Sequence, residues 1–321
     1  MYAMTVDEKR NFHWTEVPDP VPKEGEILLE IHAAALNRAD LLQRAGKYPP
    51  PPGWPEWMGL EAAGIVLQAP EKSRWKAGDR VCALLGGGGY AEKIAVPEEM
   101  VLPLPANLSM IEGASLPETF ATAYLNLVLE ADLQAGETVF IQAGASGLGI
   151  ASIQTAKALG ASVITTVGSP EKAEAVRALG ADLAVNRKTE DLGKILDTHP
   201  VDVALDCVGG SGLGEHLEKM AVGGRWILLS TLGGERTELA LRPILKRGLR
   251  LIGSTLRSRS TEMKGRILRG LENRIWPEIE RGKIRPVICR VFPIREAEQA
   301  HALLERGENI GKVVLTVRDS E

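Results

Sequence analysis

Six consecutive residues, Gly144-Ala145-Ser146-Gly147-Leu148-Gly149, follow the apolar run TVFIQA (138–143) and open a stretch with helical character. Glycines at such a junction let the backbone approach a pyrophosphate, whose charge is met by N–H groups and the positive end of the helix dipole. The spacing is G-x-x-G-x-G rather than the standard G-x-G-x-x-G, so the string alone also fits a tight turn that holds nothing. Its setting, between a strand and a helix in an alternating series, favours a dinucleotide.

The next strand selects the cofactor. An NAD site places Asp or Glu about 20 residues beyond the glycine loop, on the ribose 2′-hydroxyl. Here the strand SVITTV (162–167) runs into Gly168-Ser169-Pro170-Glu171-Lys172, with no acid at its tip. Ser169 reads as a helix N-cap and Pro170 as position N1, which puts Lys172 at N3, where the dipole disfavours a cation. Arg187 follows the third strand, near the same end. The two cations suggest a 2′-phosphate pocket and hence NADPH; the alternative is a pair of solvated charges.

Other chemistries find little support. The five histidines (13, 32, 199, 216, 301) are scattered, Cys82, Cys207 and Cys289 lie far apart, and no C-x-x-C or H-x-x-x-H occurs, so no metal site is expected. No nucleophile elbow G-x-S-x-G and no kinase-type P-loop is present. The run Gly86 to Gly89 is followed by strand-like residues rather than a helix, and reads as a hairpin or close-approach loop. Hydride chemistry would come from the nicotinamide itself.

Two kinds of element must position these residues. The first third holds short strand-like runs at 27–32, 63–67, 80–85 and 91–96, divided by Gly/Pro turns and by the stiff loop YPPPPGWP (48–55). From residue 138 strands alternate with helices: strands at 138–143, 162–167, 182–186, 201–208, 224–230 and 250–256, helices at 148–159, 170–179 and 189–197. Apolar strands of this length between amphipathic helices indicate βαβ units and a doubly wound parallel sheet. The tail reads as one helix (261–282), a strand VICRVFPI, an Ala/Glu helix and the strand GKVVLTV, which resemble the first third. The expectation is an α/β chain in which a parallel-sheet dinucleotide domain (119–261) is inserted into a β-rich domain (1–118 and 262–321).

Composition agrees. With 321 residues the chain is long enough for two domains, and 44% hydrophobic with 25% charged residues is ordinary for a globular protein. Glycine, at 34 residues, is in excess. A net charge of −4 gives no general attraction to nucleic acid or anionic lipid. The N-terminus lacks a signal-like apolar core, and the uncharged residues 138–156 carry glutamines, glycines and hydroxyls, so no membrane segment is expected. Three cysteines far apart cannot form a disulfide framework, so a reducing, cytoplasmic compartment is the default expectation.

Several stretches, in order from end to end, carry a resemblance: Asn37-Arg38-Ala39-Asp40-Leu41, Tyr48-Pro49-Pro50-Pro51-Pro52-Gly53, Gly59-Leu60-Glu61, Gly78-Asp79-Arg80-Val81, the loop from Gln142 to Gly149, Asp206-Cys207-Val208-Gly209-Gly210, Leu256-Arg257-Ser258-Arg259 and Asn309-Ile310-Gly311-Lys312. Through them the chain resembles the zinc-independent quinone oxidoreductases of the medium-chain dehydrogenase/reductase superfamily, nearest the tumour-protein-inducible, NADPH-dependent type. Zinc-containing relatives read Gly-His-Glu where this chain has Leu60, and the four-cysteine zinc lobe is absent. The family often places Tyr where Arg187 stands. The resemblance implies a GroES-like domain from both chain ends, a central Rossmann domain, an active site in the cleft between them, and a homodimer (or tetramer) formed by edge strands such as RLIGSTL (250–256).

It also implies a cofactor set of Gly144 to Gly149, Gly168, Ser169, Lys172, Arg187, Cys207, Gly209, Thr231, Leu232 and Lys312, with Lys312 near the nicotinamide or, alternatively, a surface cation. Tyr48 could orient or protonate the acceptor oxygen, or simply pack as an aromatic. Asn37 could bond the nicotinamide ribose or substrate, or be a turn residue. Glu61 and Asp40 read as structural, and Cys207 as a small packed side chain beside the cofactor. Three functions are compatible: an NADPH quinone reductase, an NADPH enone or enoyl-thioester reductase, and a non-catalytic NADPH-binding structural or regulatory protein.

Overall fold

Alternation of side chains explains the sheet that carries both chain ends. Glu26–Ala35 buries every second residue over most of its length and stands at the centre of a mainly antiparallel seven-stranded sheet. The order is Ile288–Pro293, Lys312–Thr316, Glu26–Ala35, Glu61–Gln68, Arg80–Leu84, Val101–Pro103, with Lys93–Pro97 also pairing on Glu26–Ala35. In this computed structural model residues 1–318 are described; residues 319–321, the end of the expected 262–321 segment, lie outside the described residues. The strands from the tail therefore join those of the first third.

The chain divides into two compact units. Unit 1 comprises Met1–Ala121 and the described residues from Arg257 on, and unit 2 comprises Thr122–Leu256.

In unit 1 the run Gly86 to Gly89 is a close-approach loop. Gly89 N–H donates to Gly59 O (3.0 Å), and a Cβ on Gly59, whose φ is +107°, would sit 2.5 Å from Gly89 Cα. Only glycine fits there. The expected helix over 261–282 is two helices, Thr261–Arg274 and Trp276–Glu280. Pro277 has no N–H and its ring crowds the carbonyl four residues back, so it ends one helix and sits in the first turn of the next.

Unit 2 is a six-stranded all-parallel sheet in the order Leu183–Asn186, Ser162–Val167, Thr138–Ile141, Val203–Asp206, Arg225–Leu228, Arg250–Gly253. Successive residues of one strand feed opposite cores: Val139 and Ile141 pack on one face, Phe140 on the other with Ile164, Val185 and Trp226. A sheet buried on both faces requires such near-continuous apolar strands. Helices Gly147–Ala158 and Pro170–Ala178 start within a residue of expectation. The third begins later than expected, at Leu192–Thr198, because Asp191 rather than Thr189 region residues caps it, accepting from Lys194 N–H (3.3 Å). Helices Gly212–Leu217 and Leu241–Arg247 and a π-helical segment, Leu125–Glu130, were not expected from sequence.

Candidate functional site

In unit 2 the sheet order reverses between Thr138–Ile141 and Val203–Asp206, and open parallel sheets bind ligands beyond the carboxyl ends of their strands at such a point. Of the residues expected to hold a cofactor, those in unit 2 lie on the turns that follow these strands. After Ile141 the chain turns through Ala143, which adopts φ +55°, and is tied to the neighbouring strand by Ala143 N–H to Thr166 Oγ1 (3.1 Å) and Gly144 N–H to Thr166 O (2.9 Å). Ser146 caps the helix Gly147–Ala158, its Oγ accepting from Gly149 N–H (3.0 Å). Gly147 and Leu148 thus occupy the first turn, whose N–H groups have no partner inside the helix. A Cβ on Gly149 would lie 2.4 Å from Ala143 O, and one on Gly144 2.1 Å from Thr165 Oγ1, so both glycines press the helix start onto the strand end. Ala145 is buried beneath the loop, while Ser146, Gly147 and Leu148 keep accessible surface. This cradle fits the pyrophosphate of a dinucleotide.

The neighbouring corner carries the expected cations. Ser169 caps Pro170–Ala178 with Pro170 in its first turn, and Ser169 Oγ accepts from Lys172 N–H (3.3 Å). Arg187 N–H is anchored on Val167 O (3.0 Å), and its guanidinium lies alongside Gly168, 3.4 Å from where a Cβ would stand. Glu171, in the same first turn, hydrogen-bonds Ser169, which holds its carboxyl below the usual range.

Asp206 shapes the next strand end. Its Oδ1 accepts from Val208 and Gly209 N–H (2.8 Å each) and its Oδ2 from Trp226 Nε1 (3.0 Å). Cys207 Sγ contacts Gln142 O at 3.6 Å, and Gly233 N–H donates to Val208 O (2.7 Å), which brings Thr231 and Leu232 to the same edge. Thr231 and Leu232 are exposed.

Asn37, Tyr48 and Lys312 all belong to unit 1, where Asn37 and Lys312 meet and Tyr48 packs on Arg257. Lys312 is buried rather than a surface cation: its Nζ pairs with Glu61 Oε1 (2.7 Å) and donates to Leu36 O (2.6 Å) and Asn37 Oδ1 (2.8 Å). An ammonium has three donors, so none remains for a cofactor, which corrects the expected contact. Asn37 Nδ2 donates to Glu61 Oε1 (3.0 Å), and Glu61 Oε2 takes Glu118 N–H (2.9 Å). Asn37 also precedes the helix Arg38–Arg44, where its N–H donates to Asp40 Oδ2 (2.7 Å); Gly59 N–H donates to Asp40 Oδ1 (3.1 Å). Burial raises the Asp40 carboxyl to about 6 against these bonds.

Tyr48 is half-buried against Arg257, whose guanidinium lies 4.7 Å from its ring centroid. Arg257 also donates to Tyr48 O (3.1 Å), Gly86 O (3.0 and 2.8 Å) and Gln43 Oε1 (2.6 Å), and Lys264 Nζ caps Arg257 O (3.0 Å). One buried cation therefore ties the proline loop to the Gly86 loop and stacks on the tyrosine. Burial raises the Tyr48 phenol, which stays protonated.

Sequence reasoning missed Glu118. It is the second residue of the helix Pro117–Tyr124, where an acid is ordinarily explained by the dipole. In the fold, burial first and then Glu61 push its carboxyl up to about 8. The sequence around it, Leu116-Pro117-Glu118-Thr119-Phe120, gives no sign of this beyond an acid in a mainly apolar segment.

Comparison with known proteins agrees with this architecture. Residues 23–106 match the alcohol dehydrogenase GroES-like domain, and residues 147–272 match a family described as zinc-binding dehydrogenase. The residues here do not fit a zinc ion: Leu60 offers no ligand atom, and among the described residues no group of three or more His, Cys, Asp or Glu could hold a metal. The quinone oxidoreductase of Mus musculus is 32% identical over 310 residues, covering 94% of this chain and 92% of that protein. The structure of the quinone oxidoreductase from Thermus thermophilus, also solved in complex with NADPH, superposes with a TM-score of 0.82 at 34% identity, covering 99% of this chain and all of that one. The JamJ enoyl reductase superposes with a TM-score of 0.85 at 25% identity over 98% of this chain. The GroES-like sheet, the parallel sheet with its glycine loop and the full-length similarity lead to one assignment: the chain belongs to the quinone oxidoreductase family of the medium-chain dehydrogenase/reductase superfamily.

Proposed function

We propose that the protein is an NADPH-dependent quinone reductase that works without a metal. The observation that carries the cofactor choice is Arg187 lying alongside Gly168, the residue before the Ser169 cap of the helix that carries Lys172. A guanidinium there meets a 2′-phosphate, with which a carboxylate would clash. When bound, NADPH supplies the hydride. Residues 144–149 hold the pyrophosphate, Gly168, Ser169, Lys172 and Arg187 the adenosine phosphate, and Cys207, Gly209, Thr231 and Leu232 line the nicotinamide side. On unit 1, Tyr48 presents a neutral phenol as donor to an acceptor oxygen, and Arg257 holds it in place. Lys312 acts at one remove, by fixing the amide of Asn37. A quinone is electrophilic enough to be reduced with orientation and hydrogen bonding alone.

The similarity to quinone oxidoreductases supports the acceptor class, and that to an enoyl reductase supports an enone or enoyl thioester as the second reading. Arg250–Gly253 ends the parallel sheet as an edge, with Leu251 exposed, and a second copy pairing there would protect it as a homodimer. Among the described residues no helix is long and apolar enough to cross a membrane. Cytoplasmic residence belongs to the same proposal.

The test pairs Lys172→Ala with Arg187→Ala and measures NADPH and NADH affinity by fluorescence titration. Each charge-assisted contact is worth about 1.5–3 kcal/mol, so NADPH should weaken by roughly two orders of magnitude or more while NADH changes little. Equal losses refute the pocket. NADPH oxidation across ortho-quinones, para-quinones and enones, repeated on Tyr48→Phe, separates the two acceptor readings, and tight NADPH binding with no oxidation by any acceptor would favour a non-catalytic protein.

A further inference from the structure

A cavity of about 270 Å³ lies wholly within unit 1. It opens between the turn that carries Arg74 and Trp75, the turn Glu98–Met100, the strand Val101–Pro103 and the helix Thr261–Arg274. Fixed contacts hold these walls in place. The helix touches the 98–100 turn at Gly265, where a Cβ would lie 2.9 Å from Glu99 Cβ. Past the end of the helix, Trp276 Nε1 donates to Pro103 O (2.8 Å). Arg74 forks onto both carboxylate oxygens of Glu272 (3.0 Å each) and donates to Val101 O (3.2 Å). A fork of this kind fixes direction as well as distance, so the cavity is preformed.

Its lining has two parts. Trp75, Val101, Leu102 and Leu268 are buried and give an apolar floor. Two arginines and three glutamates, Arg74, Arg269, Glu98, Glu99 and Glu272, supply the charges and leave one net negative charge. The Arg74–Glu272 pair neutralises itself, which leaves Arg269 against Glu98 and Glu99. Among the described residues, the side chains of these three have no ion pair or hydrogen bond. Glu99 and Arg269 are exposed to water, whereas Glu98 is half-buried and its carbonyl takes Trp75 Nε1 (3.4 Å). We propose that this cavity binds a small organic cation, a monoamine whose ammonium meets Glu98 and whose apolar body rests on Trp75, Leu102 and Leu268. An apolar floor with a few polar groups at its edge takes a hydrocarbon body and orients it by its charged end. One positive charge balances the lining, whereas an anion would face two unpaired carboxylates for one guanidinium. The Trp75 ring already accepts a cation, since the Arg74 guanidinium lies 4.3 Å from its centroid. At about 270 Å³ the cavity is just below the range of pockets for drug-sized ligands, so the body is small.

Phenethylamine, phenethyl alcohol and phenylpropionate share an apolar body and carry positive, zero and negative charge at neutral pH. Each is titrated into the full-length, isotope-labelled protein while the indole N–H resonances are followed by NMR. The Trp75 resonance is identified by its absence from Trp75→Phe. Phenethylamine should shift it saturably with a Kd below about 1 mM. The alcohol should bind about tenfold more weakly, and phenylpropionate more weakly again. Glu98→Gln should weaken the amine about tenfold while Tm stays within about 2 °C of the parent. Arg269→Gln should tighten it about threefold by removing a like charge, a gain that partial unfolding does not produce. Three results overturn the site: a Trp75 resonance that does not respond saturably to the amine, phenylpropionate binding as tightly as the amine, or a Glu98→Gln protein that binds the amine with the parent affinity. None of them touches the reductase reading, because the titration contains neither NADPH nor an acceptor.

Discussion

Replacing Lys312 with methionine tests how strongly unit 1 depends on the ion pair beneath its candidate site. The Lys312–Glu61 pair is 2.7 Å long, and its side chains are 6% and 0% exposed. Methionine keeps most of the aliphatic length and removes the charge. Glu61 would then be a carboxylate wholly out of water, with only Asn37 Nδ2 (3.0 Å) and Glu118 N–H (2.9 Å) as donors and no counter-charge. Breaking a buried pair in this one-sided way costs about 3–5 kcal/mol, most of it the penalty of the orphaned charge. For a unit of this size each kcal/mol moves Tm by about 2–4 °C, so Lys312→Met should lower it by roughly 6–20 °C. Five of the six tryptophans, Trp14, Trp54, Trp57, Trp75 and Trp276, belong to unit 1, so tryptophan fluorescence during urea unfolding reports chiefly on it. The double variant Lys312→Met/Glu61→Gln closes the cycle. It removes both charges, the glutamine oxygen can keep the Glu118 N–H while its NH2 donates to the side-chain oxygen of a flipped Asn37 amide, and it should be more stable than Lys312→Met by about 2 kcal/mol. Two outcomes refute the reasoning: a single variant within about 1 kcal/mol of the parent, or a double variant whose loss equals the sum of the two single losses.

Two further predictions concern the glycine loop and the neighbouring acid. Gly149→Ala would drive a methyl group to 2.4 Å from Ala143 O, against backbone that cannot yield, so dinucleotide affinity should fall at least tenfold by fluorescence titration; unchanged affinity would show that the loop is not the cradle. Asp40 has its carboxyl raised from 3.8 to about 6, so the folded protein retains a proton that the unfolded chain releases, and stability falls as pH rises through that interval. Asp40→Asn lacks this dependence, and its stability relative to the parent should climb by up to about 3 kcal/mol between pH 4 and pH 6 in urea titrations; a flat difference refutes it.

Unit 2 was legible in the sequence because its information is local. TVFIQA, the glycine string and the helix after it are contiguous, and Ser169 and Pro170 announce the next helix start within two residues. The breaks came where local signals compete. Residues 261–282 keep a helical period throughout, so the pattern alone does not show that Pro277 divides them. Likewise, nothing in the period reveals Asp191 as the cap rather than a residue nearer Thr189.

The unit 1 site was opaque for the opposite reason: its meaning lies in pairings across the chain. Glu61 and Lys312 each open an apolar strand, EAAGIVLQ and KVVLT, and an ionised residue leading into a buried strand needs a partner. That rule applied to each alone makes both look structural or superficial, but applied to both it calls for one pair, and the two strands flank Glu26–Ala35 on either side. Once the pair exists, it dictates the rest. Glu61 satisfies the Asn37 amide and the Glu118 N–H, Lys312 exhausts its donors, and Glu118 is left as the acid with no cation of its own. The role expected for Lys312, direct contact with the cofactor, therefore gives way to the role of neutralising Glu61.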